Sequence, residues 1–237
     1  MKRPRKLLLF DIDGTLVDTG GAGLVSLREG FHEAFPEHRD DPFPPLELGG
    51  ATDHGIVRGL FGHFGIEDDG DRRRRFFSAY TARLGDRLSI FSREGRGRVL
   101  PGVAGCLAHL SRHDGYCLGL LTGNLREGAE IKLRHYGLDH HFTPEAGAYG
   151  DDHHDRNELG PIARHRASGI FGEDFAPEHI VVIGDTPRDI ACARAFGAKV
   201  LAVATGAATR EELERGEPDA LLESLADFGE VGRCLEA

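Results

Sequence analysis

Leu7-Leu8-Leu9-Phe10-Asp11-Ile12-Asp13-Gly14-Thr15 decides how the rest of the chain is read. Four apolar residues between a basic start and a Gly-Thr turn predict a buried strand, and Gly14 lets the backbone turn sharply at its end. Asp11 and Asp13 then project from the mouth of a sheet. Asp11 is suited to attack a phosphoryl group and carry it as an aspartyl phosphate, provided a cation offsets the repulsion between anions. Asp13 is suited to protonate a leaving oxygen and later to activate water. A calcium loop starting at Asp11 needs Gly at its sixth and Glu at its twelfth position, where the chain has Leu16 and Ala22. A plain solvated turn is the remaining alternative for these residues taken alone.

Composition narrows the classes. The 237 residues are 40% apolar, enough for one sizeable core with or without a small accessory domain. A formal charge of −10 argues against nucleic acid or an anionic membrane as the main partner. No apolar run approaches a membrane span, and only four apolar residues follow the basic start, too few for a secretory signal. A cytoplasmic protein is expected. Cys106, Cys117, Cys192 and Cys234 lack paired spacing and mostly lie in apolar-periodic segments, which predicts reduced thiols with no metal role.

After Thr15 the pattern is helical. Leu24, Leu27, Phe31 and Phe35 form one stripe, Ile56, Val57, Leu60, Phe61 and Phe64 a second, and Phe76, Phe77, Tyr80, Leu84 and Leu88 a third. From Pro101 onward strands alternate with helices. Strands are predicted at Tyr116 to Leu121, Ile180 to Ile183 and Lys199 to Ala204, with a helix from about Asn157 to Ala167 and a capping box at Thr209 and Glu212. Such alternation predicts an α/β fold whose mostly parallel sheet is covered on both faces. The first strand must join that sheet, so residues 17 to about 97 are an insertion.

Ligands of open parallel sheets bind beyond the carboxyl ends of the strands. Thr122-Gly123-Asn124 offers a hydroxyl and backbone amides suited to phosphate oxygens, although Thr122 alone also fits a helix cap. Gly184-Asp185-Thr186-Pro187-Arg188-Asp189 sets Asp185 at a strand end and Asp189 one helical turn on. Both carboxylates suit a hard cation such as magnesium, and an N-cap is the alternative for Asp185. Three strand ends bearing carboxylates, a hydroxyl and carboxylates again point to an enzyme.

On these motifs nearly the whole chain resembles the haloacid dehalogenase superfamily of phosphohydrolases. The resemblance implies a Rossmann-like three-layer core of residues 1–16 and 98–237, a helical cap of residues 17–97, bound Mg2+, and an aspartyl-phosphate intermediate. It further implies Asp11 as nucleophile and metal ligand, and Asp13 as acid/base with its carbonyl on the metal. Thr122, with Gly123 and Asn124, would bind the phosphoryl group, while Asp185 and Asp189 would serve the metal, Asp189 directly or through water. Most relatives place a Lys ahead of a helix to stabilise the transferring charge. Here Arg156, in Asp155-Arg156-Asn157-Glu158-Leu159, is assigned that role, since its guanidinium keeps its charge and forks onto two oxygens. Lys132 is the second choice, expected to face solvent from inside a helix, and Asp151 and Asp152 are expected to help orient Arg156.

Residues 17–97 contain no Lys for Schiff-base phosphonate chemistry, and Asp13 argues against carbon–halogen cleavage. The Arg-Ser-containing loop usual in the sugar-phosphate mutases is absent near Gly49-Gly50-Ala51-Thr52-Asp53. That tract reads either as a cap loop approaching the site, as in phosphoglycolate-phosphatase-like members, or as a helix start capped by Thr52. The expectation is therefore a phosphatase for a small phosphometabolite, with a mutase and a non-catalytic phosphate-binding protein as alternatives. The run Arg72 to Arg75 reads as a solvated helix face, and His140, His141, His153 and His154 as polar loop residues rather than ligands.

Overall fold

The structure is a computed structural model and describes residues 4–236. Strand β1 (Lys6–Phe10) lies inside a five-stranded sheet with β4 (Tyr116–Leu120), β5 (Ile180–Gly184), β6 (Lys199–Val203) and β7 (Ala220–Leu222), in the order β4-β1-β5-β6-β7. Every pairing in it is parallel. An all-parallel sheet needs cover on both faces, so its central strand must be apolar on both. In β1, Leu8 and Phe10 join a cluster with α4 (Val103–Leu110), α5 (Arg126–His135) and α9 (Phe228–Glu236). Leu7 and Leu9 join the opposite one, with α6 (Leu159–Phe171), α7 (Pro187–Ala195) and α8 (Arg210–Arg215). The three-layer α/β fold is as expected.

Register aligns the strand ends. Phe10 sits opposite both Leu120 and Ile183. The amide of Asp11 donates to the Ile183 carbonyl at 2.9 Å, and that of Leu121 to the Phe10 carbonyl at 2.9 Å. Asp11, Thr122 and Asp185 therefore leave the sheet side by side. Gly14, at φ 80°, closes the turn after β1.

A short antiparallel ribbon of β2 (Val17–Asp18) and β3 (Arg98–Val99) joins the helical insertion to the sheet. Helices α1 (Ala22–Ala34), α2 (Asp53–Phe64) and α3 (Gly70–Arg93) enclose a third apolar cluster, which Leu125 joins from the start of α5. Phe31 is its hub, with ring centroids 5.2 Å from Phe35 and 4.7 Å from Phe64. Leu27, Phe31 and Phe35 are buried as expected, whereas Leu24 is exposed. The run Arg72 to Arg74 pairs with local carboxylates on the surface, Arg73 holding Asp68 at 2.7 Å.

The differences from expectation lie at boundaries. Helix α6 begins at Leu159 because Arg156–Glu158 forms a separate 3-10 turn, and it runs on to Phe171 before Gly172 at φ 66° ends it. The capping box of Thr209 and Glu212 is present. The four cysteines are free thiols, and no described helix is long and apolar enough to cross a membrane.

Helices α1 and α3 touch where Gly30 lies against the Tyr80 backbone, with no room for a Cβ. Gly62 in α2 faces open space. Gly30→Val is expected to destabilise by about 1–3 kcal/mol and Gly62→Ala to be neutral or stabilising by up to about 1 kcal/mol, both read by urea or thermal unfolding.

Candidate active site

Asp11 is buried and faces two kinds of partner. A terminal nitrogen of Arg156 lies 3.3 Å from its Oδ1, and the Thr122 side chain acts on its carboxylate to favour the charged form. Thr122 does not cap α5. It lies wholly buried at the site, and its Oγ1 accepts from the Asn124 amide at 3.3 Å and side-chain nitrogen at 2.8 Å.

The Asp185 Oδ1 accepts from the Thr15 hydroxyl at 2.8 Å. A Cβ on either Gly14 or Gly206 would run into its carboxylate, so both glycines are required by its placement. The N-cap of α7 is Thr186, not Asp185: Thr186 and Asp189 form a capping box, with Pro187 in the first turn. The Asp189 Oδ1 accepts from Arg156 at 2.5 Å, and its Oδ2 from the Thr186 amide at 3.0 Å and hydroxyl at 2.7 Å.

Carboxylate oxygens of Asp11, Asp185 and Asp189 all lie within 4.8 Å of one another. Three buried carboxylates against one guanidinium leave an excess of negative charge that a divalent cation would neutralise. Burial, the largest cause, pushes the Asp11 carboxyl up to about 6; Arg156 and the Thr122 hydroxyl oppose the rise, and Asp189 and Asp13 add to it. Asp185 is driven well above the ordinary carboxylate range by burial, with Asp189 and Asp11 adding to it. Burial works against charge on Arg156, but Asp189 and Asp11 outweigh it and hold the guanidinium protonated. The donors present fit a hard cation.

Arg156 is also held by carbonyls. It donates to Leu121 at 3.3 Å and to Gly50, in the insertion, at 3.2 Å. Asp151 and Asp152 do not orient it, contrary to expectation. Asp151 accepts from the Arg126 amide at 3.1 Å, and Asp152 pairs with Arg166 at 2.6 Å and accepts from the Tyr149 amide at 2.9 Å.

Asp13 turns away from this cluster and is 42% exposed at the cavity. Its Oδ2 accepts from the Asn124 side-chain nitrogen at 2.8 Å and from Lys132 Nζ at 2.5 Å. The expectation for Lys132 therefore needs correcting: it does not face solvent but is buried and directed at Asp13. The buried residues of α5 are Gly128, Ala129, Lys132 and Leu133, a helical stripe that places Lys132 on the inner face. That spacing was the available signal, and the charged neighbours Glu130 and Arg134 obscured it.

For Gly49–Asp53 both readings hold. Thr52 caps α2 by accepting from the Gly55 amide at 3.0 Å, and the tract lies over the site. The Asp53 amide donates to the Gly123 carbonyl at 2.7 Å. Gly123 packs so closely on Ala51 that a Cβ there would meet its carbonyl oxygen. Asp53 was not singled out from the sequence as a site residue. Its Oδ2 accepts from the Leu125 amide at 2.8 Å, supplying from the insertion the cap that α5 lacks from its own side chains. Burial pushes its carboxyl up to about 6, with Lys132 and the Leu125 amide opposing. Together these elements line a half-open cavity of about 700 Å³ that reaches Asp11, Asp13, Arg156, Lys132 and Asp185, with Leu24, Leu27 and Ile56 among its apolar walls.

A family model describing haloacid dehalogenase-like hydrolases matches residues 8–194. The chain belongs to that family. Within it, the chain is phosphoglycolate-phosphatase-like and is a hydrolase of the phosphatase kind. It is 30% identical over 225 residues to a phosphoglycolate phosphatase of Synechococcus elongatus, covering 93% of this chain and 94% of that one. A phosphoglycolate phosphatase of Mannheimia succiniciproducens is 27% identical over 236 residues, covering 94% and 96%. The crystal structure of a predicted phosphoglycolate phosphatase from Haemophilus somnus superposes with a TM-score of 0.63 at 20% identity, covering 98% of this chain and 100% of that one, and supports the fold.

The buried charges lead to two expected outcomes. Arg156→Met leaves Asp11 and Asp189 without their cation and should cost about 3 kcal/mol or more, measured by denaturant unfolding. A carboxyl raised by folding loses stability as pH climbs from its unfolded value near 4 through about 6. In protein stripped of metal, Asp11→Asn should therefore raise the melting temperature at pH 7 by a few degrees, on the order of 1 kcal/mol, and the gain should vanish toward pH 4.

Proposed function

We propose that the chain is a Mg2+-dependent phosphomonoesterase for a small phosphorylated metabolite of the phosphoglycolate type, working through an aspartyl phosphate on Asp11. The observation that carries this reading is the separation of the two carboxylates of the first motif. Asp11 lies buried beside Arg156 and Thr122, whereas Asp13 is turned outward to the cavity. A pure binding site needs no second carboxylate held apart in this way.

In the reaction, an Asp11 oxygen attacks phosphorus in line with the ester oxygen. The phosphorus–oxygen ester bond breaks as Asp13 gives its proton to the departing alcohol. Asp13, now a carboxylate, takes a proton from water as that water attacks the phosphorus of the aspartyl phosphate. Inorganic phosphate leaves and Asp11 is regenerated. Arg156 and the Thr122 hydroxyl hold oxygens of the transferring group, with Gly123 offering its amide. The cation would be held by Asp11, Asp185 and the carbonyl of Asp13, and when bound it supplies positive charge against the phosphoryl oxygens. Both oxygens of Asp189 are already engaged, which suits a water-mediated role and the holding of Arg156.

Residues 17–97 act as the cap that excludes bulk water during both steps. A cavity of about 700 Å³ suits a small metabolite. Four free thiols suit a reducing compartment, the cytoplasm.

Purified protein incubated with a panel of phosphometabolites including phosphoglycolate is expected to release inorganic phosphate with Mg2+ and to stop on chelation. Asp11→Asn should lose about 10³-fold or more. Undiminished turnover in that variant would sink the mechanism. Isomerised sugar phosphate without phosphate release would point to a mutase, and metal-dependent binding without turnover to a regulatory protein.

A further inference from the structure

Lys132 is an expensive residue to bury. An ammonium taken out of water costs several kcal/mol unless anions and acceptors replace its hydration. Its side chain is only 4% exposed. Its partners are Asp13 Oδ2 and Asn124 Oδ1, both at 2.5 Å, with the Asp53 carboxylate acting on it from further away. A pair serving packing alone would bury both members. Here the anion is the exposed residue at the cavity, so the cation is set behind a group that has to stay accessible.

The geometry fixes one oxygen and frees the other. Asp13 Oδ2 receives two charged or polar donors, whereas Oδ1 accepts from no described residue. Asn124 links the two halves of the site: its nitrogen donates to Asp13 and to Thr122 Oγ1, and its oxygen accepts from Lys132. Arg156, not Lys132, is the cation beside Asp11.

We propose that Lys132 is a positioning residue: through Asn124 and directly, it locks Asp13 Oδ2 so that Oδ1 is presented to the leaving oxygen at a set distance from the phosphoryl-holding Thr122. This rests on the reading of Asp13 as the acid/base. Lys132 acts through Asp13 and not on the phosphoryl group. In kcat/KM, which reports the steps up to departure of the alcohol and not the later attack of water, its contribution is therefore confined to esters whose leaving group needs a proton.

The test compares kcat/KM for 4-nitrophenyl, phenyl and benzyl phosphate in the Mg2+-loaded enzyme. 4-Nitrophenolate departs readily without protonation, whereas the benzyl alkoxide does not. Lys132→Met is expected to lose roughly 100-fold on benzyl phosphate and less than about 5-fold on 4-nitrophenyl phosphate, with phenyl phosphate between. In an Asp13→Ala background the same substitution should cost nothing more on 4-nitrophenyl phosphate. Asn124→Ala removes the bridge without unpairing a buried charge, and should show the same ester-dependent pattern at smaller size even if Lys132→Met does not fold. An equal loss across the three esters, or a full further loss in the Asp13→Ala background, overturns the inference while leaving the phosphatase reading intact. A wild-type enzyme that releases phosphate from none of the three, nor from the metabolite panel, overturns the phosphatase reading and this inference with it.

Discussion

The end of β1 is organised by a shortage of positive charge. Asp11, Asp185 and Asp189 are brought together where water is largely excluded, and one guanidinium stands among them. Burial and mutual repulsion push the Asp11 and Asp185 carboxyls upward, so such a cluster favours taking up a proton or a cation. The surrounding fold exists to hold that imbalance in place. Parallel register aligns the strand ends, glycines at 14 and 206 leave room for Asp185, and the 3-10 turn at Arg156–Glu158 delivers Arg156 from below. The cost of assembling like charges is offset by two apolar layers against β1.

A second charged group lies on the other side of the cavity and is balanced differently. Lys132 stands between Asp13 and Asp53, one from the sheet end and one from the insertion. The two cations thus divide the site. Arg156 stands beside Asp11 and Lys132 beside Asp13, with Thr122 and Asn124 linked between them.

Much of this was legible in the sequence because strands announce themselves locally. The runs Leu7 to Phe10, Tyr116 to Leu120 and Ile180 to Ile183 are apolar nearly throughout, and the residues just past each run lie at the site. Arg156 could be assigned because its chemistry suits the position and no Lys lies nearby. Lys132 was misplaced because a helix rich in charge reads as a solvent face, and only contacts distant in sequence reveal the anions around it. Asp53 carried no local signal for a role in another element's first turn. The ribbon of β2 and β3 and the strand β7 are too short for a periodic pattern to register.

Asp53 begins α2, yet it completes α5. A helix that borrows its first-turn acceptor from another part of the chain keeps it only while the two parts stay together. Were Gly49–Asp53 to lift, the Leu125 amide would return to solvent, at a cost of about 1 kcal/mol typical of a lost cap, and the bonds to Gly123 and from Arg156 would be lost with it. The tract that lies over the cavity and the acceptor at the start of the helix carrying Lys132 belong to the same five residues. A displacement of that tract would therefore be felt at the start of the helix from which Lys132 reaches Asp13.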